Sequence, residues 1–212
     1  MVGAWEPARV VGGDYYDVIK LGDGRLGICI ADVVGKSVSA ALLMASVQAT
    51  VRAFATDDVS PATLCTRVNS VLCNNIAADK FVTFFYGVLD SHQKILQYCN
   101  AGHLQPILLQ ASGGSKQLKD NGAVLGVFRE WKYEDDTVQL GAGDKLLLFT
   151  DGITEAAASD GEEFGEQRLI EAAREGELQT AVNVKSRVLQ DVRQFCHSQF
   201  HDDATLMVIS AS

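Results

Sequence analysis

Short runs of alternating apolar and polar residues open the chain. Residues 14–20 and 25–31 favour strands, and the segment between them, 21–24, contains an Asp-Gly pair. An Asp-Gly pair flanked by strand-like runs is a strong signal for a tight hairpin. We therefore expect the first two predicted strands to pair antiparallel.

A segment with apolar residues at helical spacing follows the predicted hairpin. The segment 36–54 predicts a long helix that packs through one apolar face. The positions at helical spacing are Val38, Leu42, Ala45, Ala49 and Phe54. Ser60 and Pro61 then supply an N-cap and a proline at the first helical position. The apolar face after Pro61 predicts a second helix, with Leu64, Val68, Val71, Leu72 and Ile76 on it.

Strand-like runs dominate the middle of the chain, and short polar turns between them favour an antiparallel meander. They cover 81–89, 94–99 and 105–110. The rest of the chain predicts a loop at 112–115, strands at 133–140, 145–150 and 205–209, and helices at 165–174 and 179–196. Strands in runs and helices in pairs favour an α+β fold over an alternating parallel one. We expect two antiparallel β-sheets packed as a sandwich and flanked by helix pairs.

Composition is that of one globular domain. The chain has 212 residues, 47% hydrophobic and 21% charged, with no shift in composition that divides it. We expect residues 1–212 to form a single domain. Its first chemical motif begins at Gly12, close to the start. We therefore also expect it to be the catalytic piece of a longer signalling protein.

Charge and cysteine content exclude several functions. The formal net charge is -9 and the chain has no run of Lys and Arg, so we expect no nucleic-acid partner. No apolar stretch approaches the roughly 20 residues that span a bilayer, so we expect no membrane segment. The five cysteines are odd in number and lack C-x-x-C spacing, which argues against a zinc site or a disulfide framework. Free thiols suit a cytoplasmic location.

Four aspartates stand beside apolar, strand-like runs: Asp14, Asp32, Asp151 and Asp202. One Asp next to Gly is usually a turn residue. Four carboxylates at the ends of four strands would repel one another unless cations neutralise them. Mg2+ and Mn2+ prefer oxygen ligands, and two such ions can activate water against a phosphate. The pattern therefore predicts a metal-dependent hydrolase.

Six ordered motifs carry a resemblance over nearly the whole chain. They are Gly12–Asp17, Ala31–Lys36, Phe81–Gly87, Asn100–His103, Phe149–Glu155 and Asp202–Thr205. With these motifs the chain resembles the metal-dependent protein phosphatase (PPM) family, in its bacterial SpoIIE and RsbU branch. The resemblance implies hydrolysis of phosphoserine or phosphothreonine by a metal-activated water. It also implies a regulatory phosphoprotein as substrate, typically an anti-sigma-factor antagonist, in bacterial sigma-factor signalling.

The same resemblance assigns the site residues. Asp14, Asp32, Asp151 and Asp202 would be the catalytic metal ligands for two Mn2+ or Mg2+ ions, and the backbone carbonyl of Val33 would add an oxygen. In this family the ligand is the first Asp of the last motif, which favours Asp202 over Asp203.

For three other residues in or near these motifs, the sequence leaves the role open. Glu155 stands where related phosphatases have an Asp that can bind a third ion. His103 could donate a proton to the leaving oxygen or fix a turn. Asp17 could organise the first strand or contact metal-bound water.

Two other functions are alternatives. A pseudophosphatase would bind a phosphoprotein without turnover, and a replaced metal aspartate would favour it. A two-metal phosphodiesterase acting on a nucleotide fits the carboxylates but lacks basic or nucleotide-reading motifs. The sequence leaves open whether the chain forms a homodimer.

Overall fold

The computed structural model describes residues 1–77, 79–174 and 180–211. In chain order, its strands are β1 (Val2–Glu6), β2 (Tyr15–Lys20), β3 (Arg25–Val33), β4 (Val82–Asp90), β5 (Ile95–Ala101), β6 (Ile107–Leu109), β7 (Ser115–Gln117), β8 (Asp136–Gln139), β9 (Lys145–Phe149) and β10 (Ala204–Ser210). Its helices are α1 (Val38–Phe54), α2 (Pro61–Asn75), α3 (Asp151–Thr154), α4 (Gly165–Arg174) and α5 (Ala181–Phe195). The predicted helix start at Gln179 lies outside the described residues.

The described chain forms two compact units. The first unit comprises Met1–Gly12, Pro106–Leu118 and Gly141–Ser212, and the second comprises Gly13–Gln105 and Lys119–Leu140. Each unit contains one five-stranded sheet. Every strand pair in both sheets is antiparallel.

In the first unit the strand order is β1-β10-β9-β6-β7. The helices α4 and α5 pack together, and α5 lies against β10 and β1. The short helix α3 also contacts β10. Strand β10 is buried along most of its length, because helices cover it and strands flank it on both edges. It therefore forms the core of this unit.

In the second unit the strand order is β2-β3-β4-β5-β8. The predicted β2-β3 hairpin is confirmed, with Tyr15 paired to Ala31. Helix α2 begins as expected, since the Ser60 side chain accepts a hydrogen bond from the Thr63 amide at 3.3 Å. The helix buries Leu64 and Val68 against the sheet. Each sheet thus has a helix pair, which confirms the predicted α+β class with two antiparallel sheets.

The predicted buried face of α1 is wrong. Val38 and Leu42 are 66% and 68% exposed, whereas the helix buries Ala40, Val47 and Val51. Apolar residues surround nearly the whole helix, so periodicity alone could not select the face. Contact with β3 and β2 selects the small and β-branched side chains instead.

The predicted meander is correct for two strands and wrong for the third. Strands β4 and β5 pair, but β6 pairs with β9 and β7 in the sheet of the first unit. The free edge of β5 is taken by β8.

The five cysteines are free thiols, and four of them are buried. No helix within the described ranges is long and apolar enough to cross a lipid bilayer.

Candidate metal centre

In the second unit, the β2-β3 hairpin sets two of the predicted ligands side by side. Tyr15 lies opposite Ala31, so Asp14 and Asp32 follow one step further, at the open end of the hairpin. Asp14 is only 7% exposed. Like charges directly opposite one another on paired strands are destabilising. Such a pair of carboxylates therefore suits a place where a cation binds.

Gly13 lies against a group of oxygen atoms in the same unit. A Cβ atom added to Gly13 would stand 2.8 Å from the Val33 carbonyl oxygen and 3.6 Å from Asp32 Oδ1. The Gly35 carbonyl oxygen would be a further neighbour at 3.6 Å. A methyl group would fill this space, whereas glycine leaves it to carboxylate and carbonyl oxygens. These are the donors that hard divalent cations prefer, so the residues present fit a Mn2+ or Mg2+ ion.

In the first unit, Asp151 follows the buried strand β9 and begins α3. The residue before it, Thr150, joins this strand end to the start of β10. Its hydroxyl donates to the Asp203 carbonyl oxygen at 3.3 Å and accepts from the Thr205 amide at 2.9 Å. Both bonds are buried, so they fix the backbone on which Asp151 and Asp202 stand.

The two aspartates of the last motif have different surroundings. The buried Asp203 carboxylate accepts a hydrogen bond from the Ala8 amide at 2.9 Å, and Gly12 packs directly against it. Asp203 thus ties down the segment that precedes Asp14 in the chain. Asp202 is more exposed and its Oδ1 accepts from the Asp203 amide at 2.9 Å. This division supports Asp202 as the ligand, which remains a prediction.

Asp17 forms a structural ion pair. Arg52, in the last turn of α1, binds both carboxylate oxygens of Asp17 at 2.7 and 2.9 Å. The Tyr15 hydroxyl donates to the same carboxylate at 2.9 Å. Burial raises the pKa of Tyr15, which keeps its proton available for this bond. Asp17 therefore holds α1 to β2, in line with its expected organising role. Sequence reasoning missed Arg52 as its partner.

His103 is buried beside the strand end that carries Asp32. Its backbone amide and carbonyl bond reciprocally with the Asn100 side chain at 2.8 and 3.0 Å, which closes a turn. Its ring Nδ1 lies 2.9 Å from the Thr83 hydroxyl. Fixing a turn is thus one role of His103. Glu155, at the end of α3, is exposed.

Two of the predicted aspartate ligands lie in each unit, Asp14 and Asp32 in one, Asp151 and Asp202 in the other. Within the part of the chain that the structure describes, no three His, Cys, Asp or Glu side chains form a recognisable metal cluster. The complete ligand set therefore remains a prediction.

Comparisons with known proteins place these observations in context. A family model described as Stage II sporulation protein E (SpoIIE) matches residues 22–212. The chain is 32% identical to Protein IcfG of Synechocystis sp., over 90% of this chain and 33% of IcfG. It is 31% identical to Phosphoserine phosphatase RsbU of Bacillus subtilis, over 96% of this chain and 60% of RsbU. The chain thus spans less than two thirds of either relative.

A solved structure has the same architecture. It contains the PP2C phosphatase domain of SpoIIE from Bacillus subtilis with a fragment of its regulatory domain. The likeness has a TM-score of 0.85 at 18% identity and covers 97% of this chain and 61% of that one. This likeness confirms the predicted fold class.

Proposed function

Because this chain belongs to the SpoIIE family, we propose that it is a metal-dependent phosphatase that acts on phosphoserine or phosphothreonine in a regulatory protein. The observation that carries the proposal is the group of oxygens around Gly13, where the Val33 carbonyl and the Asp32 carboxylate converge. RsbU, a relative over almost the full length of this chain, is named a phosphoserine phosphatase.

The residues proposed to hold two Mn2+ or Mg2+ ions are Asp14, Asp32, Asp151 and Asp202, with the Val33 carbonyl oxygen. When bound, two such ions lower the pKa of a water and neutralise phosphoryl oxygens. The chain itself contributes the orientation of the oxygens. Thr150 fixes the strand end before Asp151, and the β2-β3 hairpin fixes Asp14 beside Asp32.

The proposed substrate is a phosphorylated anti-sigma-factor antagonist, and the proposed setting is bacterial sigma-factor signalling in the cytoplasm. The likeness to RsbU, which is named a phosphoserine phosphatase, supports a phosphoserine substrate. The free thiols of the described cysteines support a reducing compartment.

Phosphate release from a phosphoserine peptide tests the proposal. The wild type is treated with EDTA, and Mn2+ is then restored. We expect release that requires the metal, and its loss by more than about 100-fold in Asp32→Ala, because changes beyond the ligands already cost about 10–100-fold. Asp160→Ala, in an exposed loop, is the matched control and should keep full activity.

Three outcomes would contradict the proposal. Metal-dependent release that survives in Asp32→Ala would remove Asp32 from the site. A folded wild type that binds Mn2+ and a phosphoprotein but releases no phosphate would identify a pseudophosphatase. Hydrolysis of a cyclic dinucleotide in place of the peptide would identify a phosphodiesterase.

A further inference from the structure

Thr83 connects a candidate metal ligand to a buried histidine within the second unit. It lies on β4 directly opposite Asp32 on β3. Its hydroxyl donates to the Asp32 carbonyl oxygen at 3.5 Å, the long end of the hydrogen-bond range, and lies 2.9 Å from His103 Nδ1. A hydroxyl has one proton and two lone pairs. When that proton points to Asp32, the Thr83 oxygen accepts a hydrogen bond from His103 Nδ1–H.

The histidine end of this chain of bonds is held rigidly. His103 is 5% exposed, and Asn100 binds both its amide and its carbonyl group. Gly102 between them has φ +69, and an added Cβ would stand 2.6 Å from Val124 Cγ1. The turn is therefore specific to glycine and tightly packed. With the backbone of His103 fixed in this way, its buried ring is placed to hold the Thr83 hydroxyl in one orientation.

We propose that Thr83 and His103 are positioning residues for the Asp32-Val33 peptide. The carbonyl that Thr83 contacts belongs to the peptide joining Asp32, which offers a carboxylate, to Val33, which offers a backbone oxygen. Fixing that peptide plane restrains the Cα atoms of Asp32 and Val33, from which the carboxylate and the Val33 carbonyl project. Groups that orient metal ligands typically change metal affinity by about 10–100-fold when removed. The inference rests on the proposed function because it assumes that Asp32 and Val33 bind the metal.

The affinity for Mn2+ tests this role without any turnover. Free Mn2+ is titrated by EPR against the metal-free protein, with no substrate present. Thr83→Val keeps the β-branched shape but loses the hydroxyl, and we expect Mn2+ binding about 10–100-fold weaker. Thr83→Ser restores the hydroxyl and should recover most of the affinity. Thr137→Val is the matched control, on β8 at the far edge of the same sheet, and should bind as wild type.

The histidine is tested in the same assay. His103→Asn keeps an N–H near the position of Nδ1, whereas His103→Ala removes it. We expect the asparagine variant to bind Mn2+ more tightly than the alanine variant. A general loss of stability would lower the Tm of both variants and give no such order.

Wild-type affinity in a folded Thr83→Val protein would overturn the inference, and so would a wild type that binds no Mn2+. A different result would distinguish this inference from the proposed function. If the wild type binds Mn2+ and Thr83→Val weakens the binding, but neither releases phosphate, the positioning role stands and the phosphatase proposal fails.

Discussion

Gly152 lies in α3 at a point where the helix touches the start of β10. A Cβ atom at this position would stand 2.1 Å from the Asp203 carbonyl oxygen, 2.7 Å from its carbonyl carbon and 3.1 Å from Ala204 Cα. These are backbone atoms of a buried segment, so they cannot rotate aside. Gly152→Ala must therefore push α3 away from β10 or displace the backbone at Asp203.

Two effects of Gly152→Ala have opposite signs. Alanine is favoured over glycine inside a helix by about 0.8–1.0 kcal/mol. Overpacking in a well-packed region typically costs about 1–3 kcal/mol. We expect a steric cost at the upper end of that range, because the overlap involves backbone atoms. After the gain in helix propensity is subtracted, the net loss of stability is about 2 kcal/mol. For a chain of this size that corresponds to a Tm lower by about 4–8 °C.

Urea denaturation and thermal melting measure the change. Gly114→Ala is the matched control in the same unit, because its closest neighbour is Gln110 Oε1, the mobile end of a side chain. The control should change stability little. A Gly152→Ala protein as stable as the wild type would refute the close contact of α3 with β10.

Two further predictions concern charge and burial. Arg52→Ala should lower the Tm more than Arg25→Ala does. Arg52 binds both oxygens of the largely buried Asp17 carboxylate, whereas Asp57, the partner of Arg25, is half exposed. Equal shifts of Tm in thermal melts of the two variants would contradict this prediction. Burial raises the pKa of Tyr98 and of the Cys29 thiol to about 12. Both stay neutral in the fold and ionise earlier in the unfolded chain. Their stabilisation is therefore complete below the ordinary thiol value of 9.0 and is lost as the pH rises toward about 12. Thermal melts across this range should show a falling Tm, and a constant Tm would refute the assignment.

The elements that the sequence predicted well carry their signal locally. The β2-β3 hairpin follows from an Asp-Gly turn between two alternating runs, and α2 follows from Ser60 and Pro61 before an apolar face. In both cases the residues that decide the structure lie within a few positions of each other.

The missed elements depend on distant partners. Strand β7 is exposed at all three residues, so it carries no hydrophobic pattern and exists only through pairing with β6. Strand β1 likewise depends on β10, at the other end of the chain. The exposed face of α1 and the transfer of β6 to another sheet are also set by tertiary contacts, which override periodicity.

In the candidate site too, features with a local signal were predicted and features that depend on distant partners were missed. The four aspartates were recognisable because each stands beside an apolar run and belongs to a motif. The side chains that hold the surrounding backbone in place were not recognisable from the sequence. Arg52 is 35 residues from Asp17, and Thr150 is 53 residues from Asp203. Thr83 lies inside a motif, yet its role appears only once β3 and β4 are paired.

Two of the side chains that contact the strand ends are uncharged threonines. Thr83 and Thr150 contact backbone carbonyl oxygens, at Asp32 and Asp203 respectively. A threonine hydroxyl is neutral, so it can fix a strand end without offsetting the charge of a neighbouring carboxylate. An arginine in the same place would form an ion pair, as Arg52 does at Asp17, and would compete with a cation for the carboxylate. Under the proposed metal assignment, neutral threonines at the strand ends would fix the backbone without adding a positive charge beside the ligands.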